Sequence, residues 1–411
     1  MKILSMGKII YDYSLPIDGF PLEGLQYNLK EKVECSGGGA CNAAHLLAKW
    51  KEDVRLSAAV GGDELGTRIR KGIEEEGINT SNIEIVYEAK TPIEFILINK
   101  NTGNKTIFSI VESEPHVKKY ELDFVPDIIY LDGYEYTSAI SVINRYPQAI
   151  VVLDASEPVK STVELLRYST YIIASQKFAE EYTKVTIDFN NPTTLLDMYK
   201  KFATKYPNNN LIVTLKDHGA IYLDKDQIKV MPGLKIDSIK DATGAGDIFR
   251  AAFVAGLSRG YDIERNIRIA NIAAGLSLSK LGVKDSMPMF SDVATFYESK
   301  FGSIDAPADA QVATTQQTIQ ANPDAVAAQE AQTEVQPEVQ PEPAVEQPVV
   351  EETAVEEVPV EQPPVVETPA EEVPQTTVEQ PVQEETQPVT QEQPVEQPEQ
   401  QVQPEDPNAS A

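Results

Sequence analysis

The last basic residue of this chain is Lys300, the last aromatic is Phe301 and the last glycine is Gly302, yet the chain runs on to Ala411. From Ser303 onward it holds 24 acids and 17 prolines. Such a segment has too little apolar mass to offset ordering entropy, and its charges repel one another. It is expected to be disordered over 303–411. "VEQP" recurs there at 345, 360, 378 and 395, an irregular period that suits a low-complexity array better than a folded repeat. Frequent proline favours extended conformations. Two roles stay open, a docking arm for an unidentified partner or a solvated acidic appendage. Any core must therefore be built from residues 1–302. These carry 40 acids against all 35 basic residues, so the formal net charge of −29 is mostly a property of the tail. It says nothing about what the folded part binds.

Within 1–302, short β-rich runs alternate with helical patterns. "KILSMGKII" reads as a strand and "ACNAAHLLAKWK" as a helix with Ala43, Leu46, Leu47 and Trp50 on one side. "VRLSAAVG" is a strand and "GTRIRKGIEEEG" a helix stopped by Gly77. "DIIYLDG", "AIVVLDAS", "STYIIAS" and "NLIVTL" are strands of the fully buried type, mostly followed by helices. This alternation predicts an α/β domain with a largely parallel sheet, whose ligands gather at the carboxyl ends of the strands. Two segments break the pattern, "GLQYNLKEKVECSGG" and "TPIEFILINKNTGNKTIFSI". Both look antiparallel, the second folded as a hairpin at "NKNTGNK". They are expected to form a small β lid, at about 13–36 and 91–111, that excludes water from a site. The alternative is a pair of ordinary edge strands. Exposed lid edges would suit a homodimer.

Cys35 and Cys41, the only cysteines, are expected as buried reduced thiols, and the three histidines are scattered without metal-ligand spacing. The N-terminus lacks the features of a signal peptide, and no stretch reaches the length of a membrane span. A soluble cytoplasmic protein is expected, with neither membrane nor nucleic acid as partner.

Four stretches carry chemistry. In "DATGAGDIFRAAF" (241–253), Gly244, Ala245 and Gly246 leave backbone N–H groups bare for an anion at the start of a helix, and Asp247 stands beside them as a base. The plainer reading is helix punctuation, with Thr243 as N-cap and an acid complementing the dipole. In "GGGACNAA", Gly37, Gly38 and Gly39 precede Asn42, whose amide both donates to and accepts from a hydroxyl. Asp12 ends the first apolar run, where a carboxylate suits two sugar hydroxyls or merely a turn. "VGGDELG" (60–66) is a strand end with a Gly-rich turn. A Walker A loop is absent, and so is the dinucleotide fingerprint.

"DATGAGDIFRAAF" resembles the C-terminal signature of the ribokinase-like sugar kinases, the PfkB family, and "GGGACNAA" resembles its N-terminal signature. "GKIIYD", "VTLKDHGA" and "ANIAAGLSLSKLGVKDSMP" match its first substrate loop, nucleotide loop and closing helix, in family order across about residues 1–292. The resemblance implies a three-layer sandwich with a small β lid that transfers the γ-phosphoryl of ATP, with Mg²⁺, to a hydroxyl of a small sugar or nucleoside. Asp247 falls on the catalytic base, and Gly244, Ala245 and Gly246 on the anion hole. Asp12, Gly38 and Asn42 fall on substrate contacts, and Thr214, Gly219 and Asn271 on nucleotide contacts. Asp241, Thr243, Gly282 and Ser286 match loops that hold a monovalent cation, K⁺, in some members. This chain departs from the pattern at several places. Ser175 and Phe178 stand where many members carry Asn-x-x-Glu near the metal, with Glu180 or Glu181 as substitutes or as solvated acids. Ile10 replaces an Asn that ribokinases carry, which weakens ribose as substrate, and Lys216 replaces a Gly in the nucleotide loop. A sugar kinase is the expectation. A nucleoside kinase, or an idle scaffold using the acidic tail, remains open beside it.

Overall fold

In the computed structural model, residues 1–305 are described. The tail expected to be disordered lies, from residue 306 on, outside the described residues. The chain opens with β1 (Lys2–Met6), β2 (Ile10–Ile17), β3 (Val33–Gly37), α1 (Gly39–Lys49), β4 (Asp53–Gly61) and α2 (Glu64–Glu75). Next come β5 (Ile83–Val86), β6 (Ile93–Asn99), β7 (Lys105–Ile110), β8 (Ile128–Leu131), α3 (Tyr136–Arg145) and β9 (Ile150–Ala155). The middle holds α4 (Lys160–Leu165), β10 (Tyr171–Ser175), α5 (Gln176–Thr183), α6 (Pro192–Ala203) and β11 (Asn210–Thr214). β12 (Ala220–Asp224), β13 (Gln227–Met231), α7 (Ala245–Ser258), α8 (Ile263–Ser277), α9 (Val283–Ser286) and α10 (Phe290–Phe301) follow.

Nine strands form one sheet in the order β13-β12-β11-β10-β9-β8-β1-β4-β5. All neighbours pair parallel except β11–β12 and β12–β13. The apolar runs read as buried strands are buried because helices cover both faces. On β8, Ile128 and Tyr130 enter a core shared with α1, α2, α7, α8 and α10, while Ile129 and Leu131 enter a second core with α3 to α6. β10 alternates in the same way, Ile173 to the first core and Ile172 and Ala174 to the second. The fold is therefore the expected three-layer ribokinase-like sandwich. Among the described residues, no helix is long and apolar enough to cross a membrane.

β1 has β4 on one side and β8 on the other, so the strand order reverses at β1/β8. Ligands of such sheets bind at the carboxyl ends beside that reversal. Over this place stands a second sheet, β3-β2-β6-β7, which is the lid. It differs from the expectation in three respects. "KILSMGKII" is not one strand: the chain leaves the large sheet after Met6 and re-enters strand structure at Ile10 in the lid. Residues 20–32 contain no strand. β2 and β6 pair parallel, because each runs outward from the carboxyl end of the large sheet, whereas β2–β3 and β6–β7 are antiparallel as expected.

Candidate active site

Helix α7 begins with a terminus that no side chain caps. Its N-cap is Gly244, with φ 73° and ψ −3°, and a Cβ there would fall 2.4 Å from Val283 Cγ1. Only glycine suits both the left-handed backbone and that approach. Thr243, the N-cap of the plainer reading, does not serve: its Oγ1 is buried without a hydrogen-bond partner. The first N–H groups of a helix have no intrahelical acceptor, so α7 presents bare donors, with a positive dipole end, on the wall of a cleft.

Asp247 stands in that first turn and lines the same cleft, and its Oδ2 accepts a 2.7 Å hydrogen bond from Asn42 Nδ2. Asn42 is delivered by α1, whose N-cap Gly38 has φ 95° and comes so close to Lys8 that a Cβ would meet its carbonyl oxygen at 2.5 Å. Asp12 reaches the cleft from lid strand β2 and is only 4% exposed. Among the described residues, Asp12 Oδ1 and Asn42 Oδ1 are both buried without a partner. Buried acceptors left unpaired are costly, so two of them in one cleft mark places for donor groups of a ligand. Burial, then Glu94 and Asp247, push the Asp12 carboxyl well above its ordinary range.

Other charged groups of the site were not legible in the sequence. Asp132, at the end of β8, accepts from the N–H groups of Lys8 (2.7 Å), Tyr134 (3.2 Å) and Ala40 (3.4 Å), yet burial pushes it up to about 7. Asp154, at the end of β9, accepts from Tyr130 Oη at 3.2 Å and from Ser156 Oγ. Burial raises it to about 6, against the opposing pull of Arg250. Arg250 is 3% exposed, with Nε 2.9 Å from Asp154 Oδ1 and a terminal nitrogen 3.9 Å from Asp247 Oδ1. Its only signal in the sequence is a lone charge inside the apolar run "IFRAAF". Glu94 and Glu157 also line the cleft.

The residues matched to a nucleotide lie apart from this lining. Thr214 Oγ1 donates to Ala174 O at 3.3 Å. Gly219 packs against Met231–Gly233, and Asn271 Nδ2 reaches Pro232 O at 3.3 Å, so those two share one segment. Asp241 joins the two loops matched to a cation, accepting from Thr243 N at 2.7 Å and Gly282 N at 2.9 Å. Ser286 Oγ donates to Val283 O at 2.8 Å. Among the described residues no cluster of three or more His, Cys, Asp or Glu is placed to hold a metal ion.

The departures have structural explanations. Ser175 caps α5 by accepting from Phe178 N at 3.0 Å, and Phe178 is a fully buried core ring stacked near Phe202. Glu180 accepts from Ile187 N at 2.8 Å, which makes it a loop fastener rather than a solvated acid. Lys216 adopts φ 56° where glycine is usual. Asp63 of "VGGDELG" caps α2 and accepts from Thr91 N at 2.8 Å, tying that turn to the base of the lid. Cys35 and Cys41 are free and buried.

A lidded, mostly parallel sheet with an uncapped helix terminus and a carboxylate at its reversal point defines the ribokinase-like class of α/β proteins. The chain belongs to the pfkB family of carbohydrate kinases, which it matches over residues 1–289. It is similar to an ATP-dependent ribose-1-phosphate kinase of Halopiger xanaduensis, 23% identical over 310 residues, covering 73% of this chain and 99% of that one. A ribokinase of Lactococcus lactis is 27% identical over 303 residues, 71% of this chain and 95% of the relative. The crystal structure of a ribokinase from Thermotoga maritima shares the fold with a TM-score of 0.59 at 24% identity, covering 72% of this chain and 99% of that one.

Proposed function

We propose that this protein transfers the γ-phosphoryl of ATP to a hydroxyl of a small sugar bound between α7, α1 and the lid. The observation that carries the reading is the convergence of Asp247 and the uncapped α7 terminus with two unpaired buried acceptors, Asp12 Oδ1 and Asn42 Oδ1, in one cleft. Asp12 and Asn42 accept from donor groups of the sugar, and Gly38 lines the cleft with bare backbone. Asp247 takes the proton of the attacking hydroxyl as its oxygen bonds to the γ-phosphorus and the bond to ADP breaks. The N–H groups near Gly244, Ala245 and Gly246 stabilise the charge on the transferring group. Thr214, Gly219 and Asn271 hold the nucleotide.

Mg²⁺ would enter with the phosphates of ATP, since that ion commonly keeps its waters and takes only one or two carboxylates. It would neutralise phosphate charge. Thr243 Oγ1, buried and unpaired on a loop that Asp241 ties to Gly282, fits a role in holding a monovalent cation such as K⁺. A sugar is favoured over a nucleoside because the lining offers no free aromatic face. Tyr134 is its single ring, and Lys8 Nζ covers that at 3.8 Å. Phe95 stacks on Tyr13 instead, and Tyr27 is not part of the lining.

The test is an ADP-release screen over sugars and nucleosides with ATP and Mg²⁺. Turnover with a sugar is expected, and Asp12→Ala should raise its KM about ten-fold or more, from loss of charge-assisted bonds worth about 1.5–3 kcal/mol each. Silence across the whole panel would favour an idle scaffold.

A further inference from the structure

Across the lid, Cys35, Asp12, Glu94 and Ser109 lie side by side in one row of four strands. Two carboxylates are therefore immediate cross-strand neighbours, a placement that costs stability in a sheet. Both line the cleft. Glu94 accepts a 2.9 Å hydrogen bond from Ser109 Oγ, and Asp12 Oδ1 is buried and, among the described residues, has no hydrogen-bond partner. The remaining lining does not balance them. Asp154 takes Arg250, Glu157 takes Lys177, and Asp132 is held by backbone N–H groups alone. Lys8 is committed to Glu114 and the Tyr134 ring. Among the described residues, Lys105, at the exposed start of β7, is the one lining cation left, and its charge only partly offsets that of Asp12.

We propose that the acceptor carries a protonated amine seated between Asp12 and Glu94, so that the substrate is an amino sugar rather than a neutral sugar or a sugar phosphate. This rests on reading the cleft as the acceptor site. An ammonium group offers three donors and a full charge. It would satisfy Asp12 Oδ1, reach Glu94 and relieve the repulsion between them. A phosphate in the same place would meet two carboxylates and be excluded. The ring hydroxyls would remain for Asn42 and Asp247.

The experiment is calorimetric titration of the full chain with matched pairs: glucose, ribose, and their 2-amino and 3-amino deoxy counterparts, with ribose 1-phosphate as the anionic probe. At least one amine should bind about ten-fold or more tightly than its hydroxyl counterpart, as a charge-assisted bond implies. Glu94→Gln should collapse that ratio towards one, and the sugar phosphate should not bind. The inference is overturned if no amine exceeds its counterpart, or if the preference survives Glu94→Gln. ADP release is followed on the same ligands. Preferential amine binding without ADP release would leave the recognition standing and sink the phosphotransfer reading. ADP release with neutral sugars only would do the opposite.

Discussion

Asp247 sits between two partners that do different things to it: Asn42 fixes one carboxylate oxygen at 2.7 Å, while Arg250 places a buried positive charge 3.9 Å from the other. Replacing Asp247 by Asn keeps the size and loses the base. The expected result is a kcat lower by about 10²–10⁴ with folding intact, read by steady-state kinetics beside a melting curve. A near-normal kcat with a lowered melting point would return Asp247 to helix punctuation. Arg250→Met acts differently, because it strips a buried acid of its counter-charge. Breaking such a pair costs about 3–5 kcal/mol. The size of that loss should depend on pH. Asp154 already titrates near 6, above its ordinary carboxylate value, so its charge opposes folding as pH rises. Without Arg250 that opposition grows, and protonation at lower pH removes it. Denaturation midpoints at about pH 5 and about pH 8 should therefore lie farther apart in the variant than in the parent.

Between elements, α1 and α2 are clasped by His45 and Glu76, whose Nδ1 and Oε2 lie 2.5 Å apart as an ion pair rather than an aligned hydrogen bond. Burial opposes a charge on His45, but Cys41 and Glu76 outweigh it and hold the ring up to about 9 from 6.5. Glu76 is correspondingly lowered from 4.5 to about 2, burial opposing and His45 and Lys284 prevailing. The His45 contribution is complete below 6.5 and lost as pH rises through about 9; that of Glu76 is complete above 4.5 and lost as pH falls towards 2. Urea midpoints should thus decline between neutral and alkaline pH, and His45→Gln should flatten that decline. The same element scale shows what could be read in advance. The inner strands β4, β8, β9, β10 and β11 were legible because burial on both faces writes a continuous apolar run, whereas β5, β12 and β13, toward the two edges of the sheet, were not. The split of "KILSMGKII" between two sheets was not, since both halves are apolar and periodicity carries no information about which sheet a strand joins. The motif residues Asn42 and Asp247 were legible through their glycines, and Asp12 through its place at the end of the first apolar run. Asp132, Asp154 and Glu94 were not, because a strand end or a lid row becomes a site only when distant strands come together.

At the scale of the molecule, packing continues past Gly302. Ile304 is buried in the first core, its carbonyl accepts from Arg265 at 3.1 Å, and Asp305 Oδ1 accepts from Tyr261 at 2.9 Å. A chain ending at Asp305 should keep the melting temperature and kcat of the full chain, whereas one ending at Gly302 should melt lower, by the loss of a buried side chain worth about 1.5–3 kcal/mol. The outer lid strand β7 exposes all six of its residues, Ile107, Phe108 and Ile110 among them. An open apolar edge of that kind invites a second copy. Light scattering is expected to give twice the chain mass, and Phe108→Glu to halve it. The row of Cys35, Asp12, Glu94 and Ser109 belongs wholly to the lid, while Asp247 and the bare terminus of α7 belong to the large sandwich. On the reading proposed above, the amine contacts would thus sit in the lid, apart from Asp247, while Asn42 and Gly38 add acceptor contacts from the sandwich side. A lineage of such chains could then trade an amine for another group by rewriting a few letters in two short strands, leaving α7 untouched.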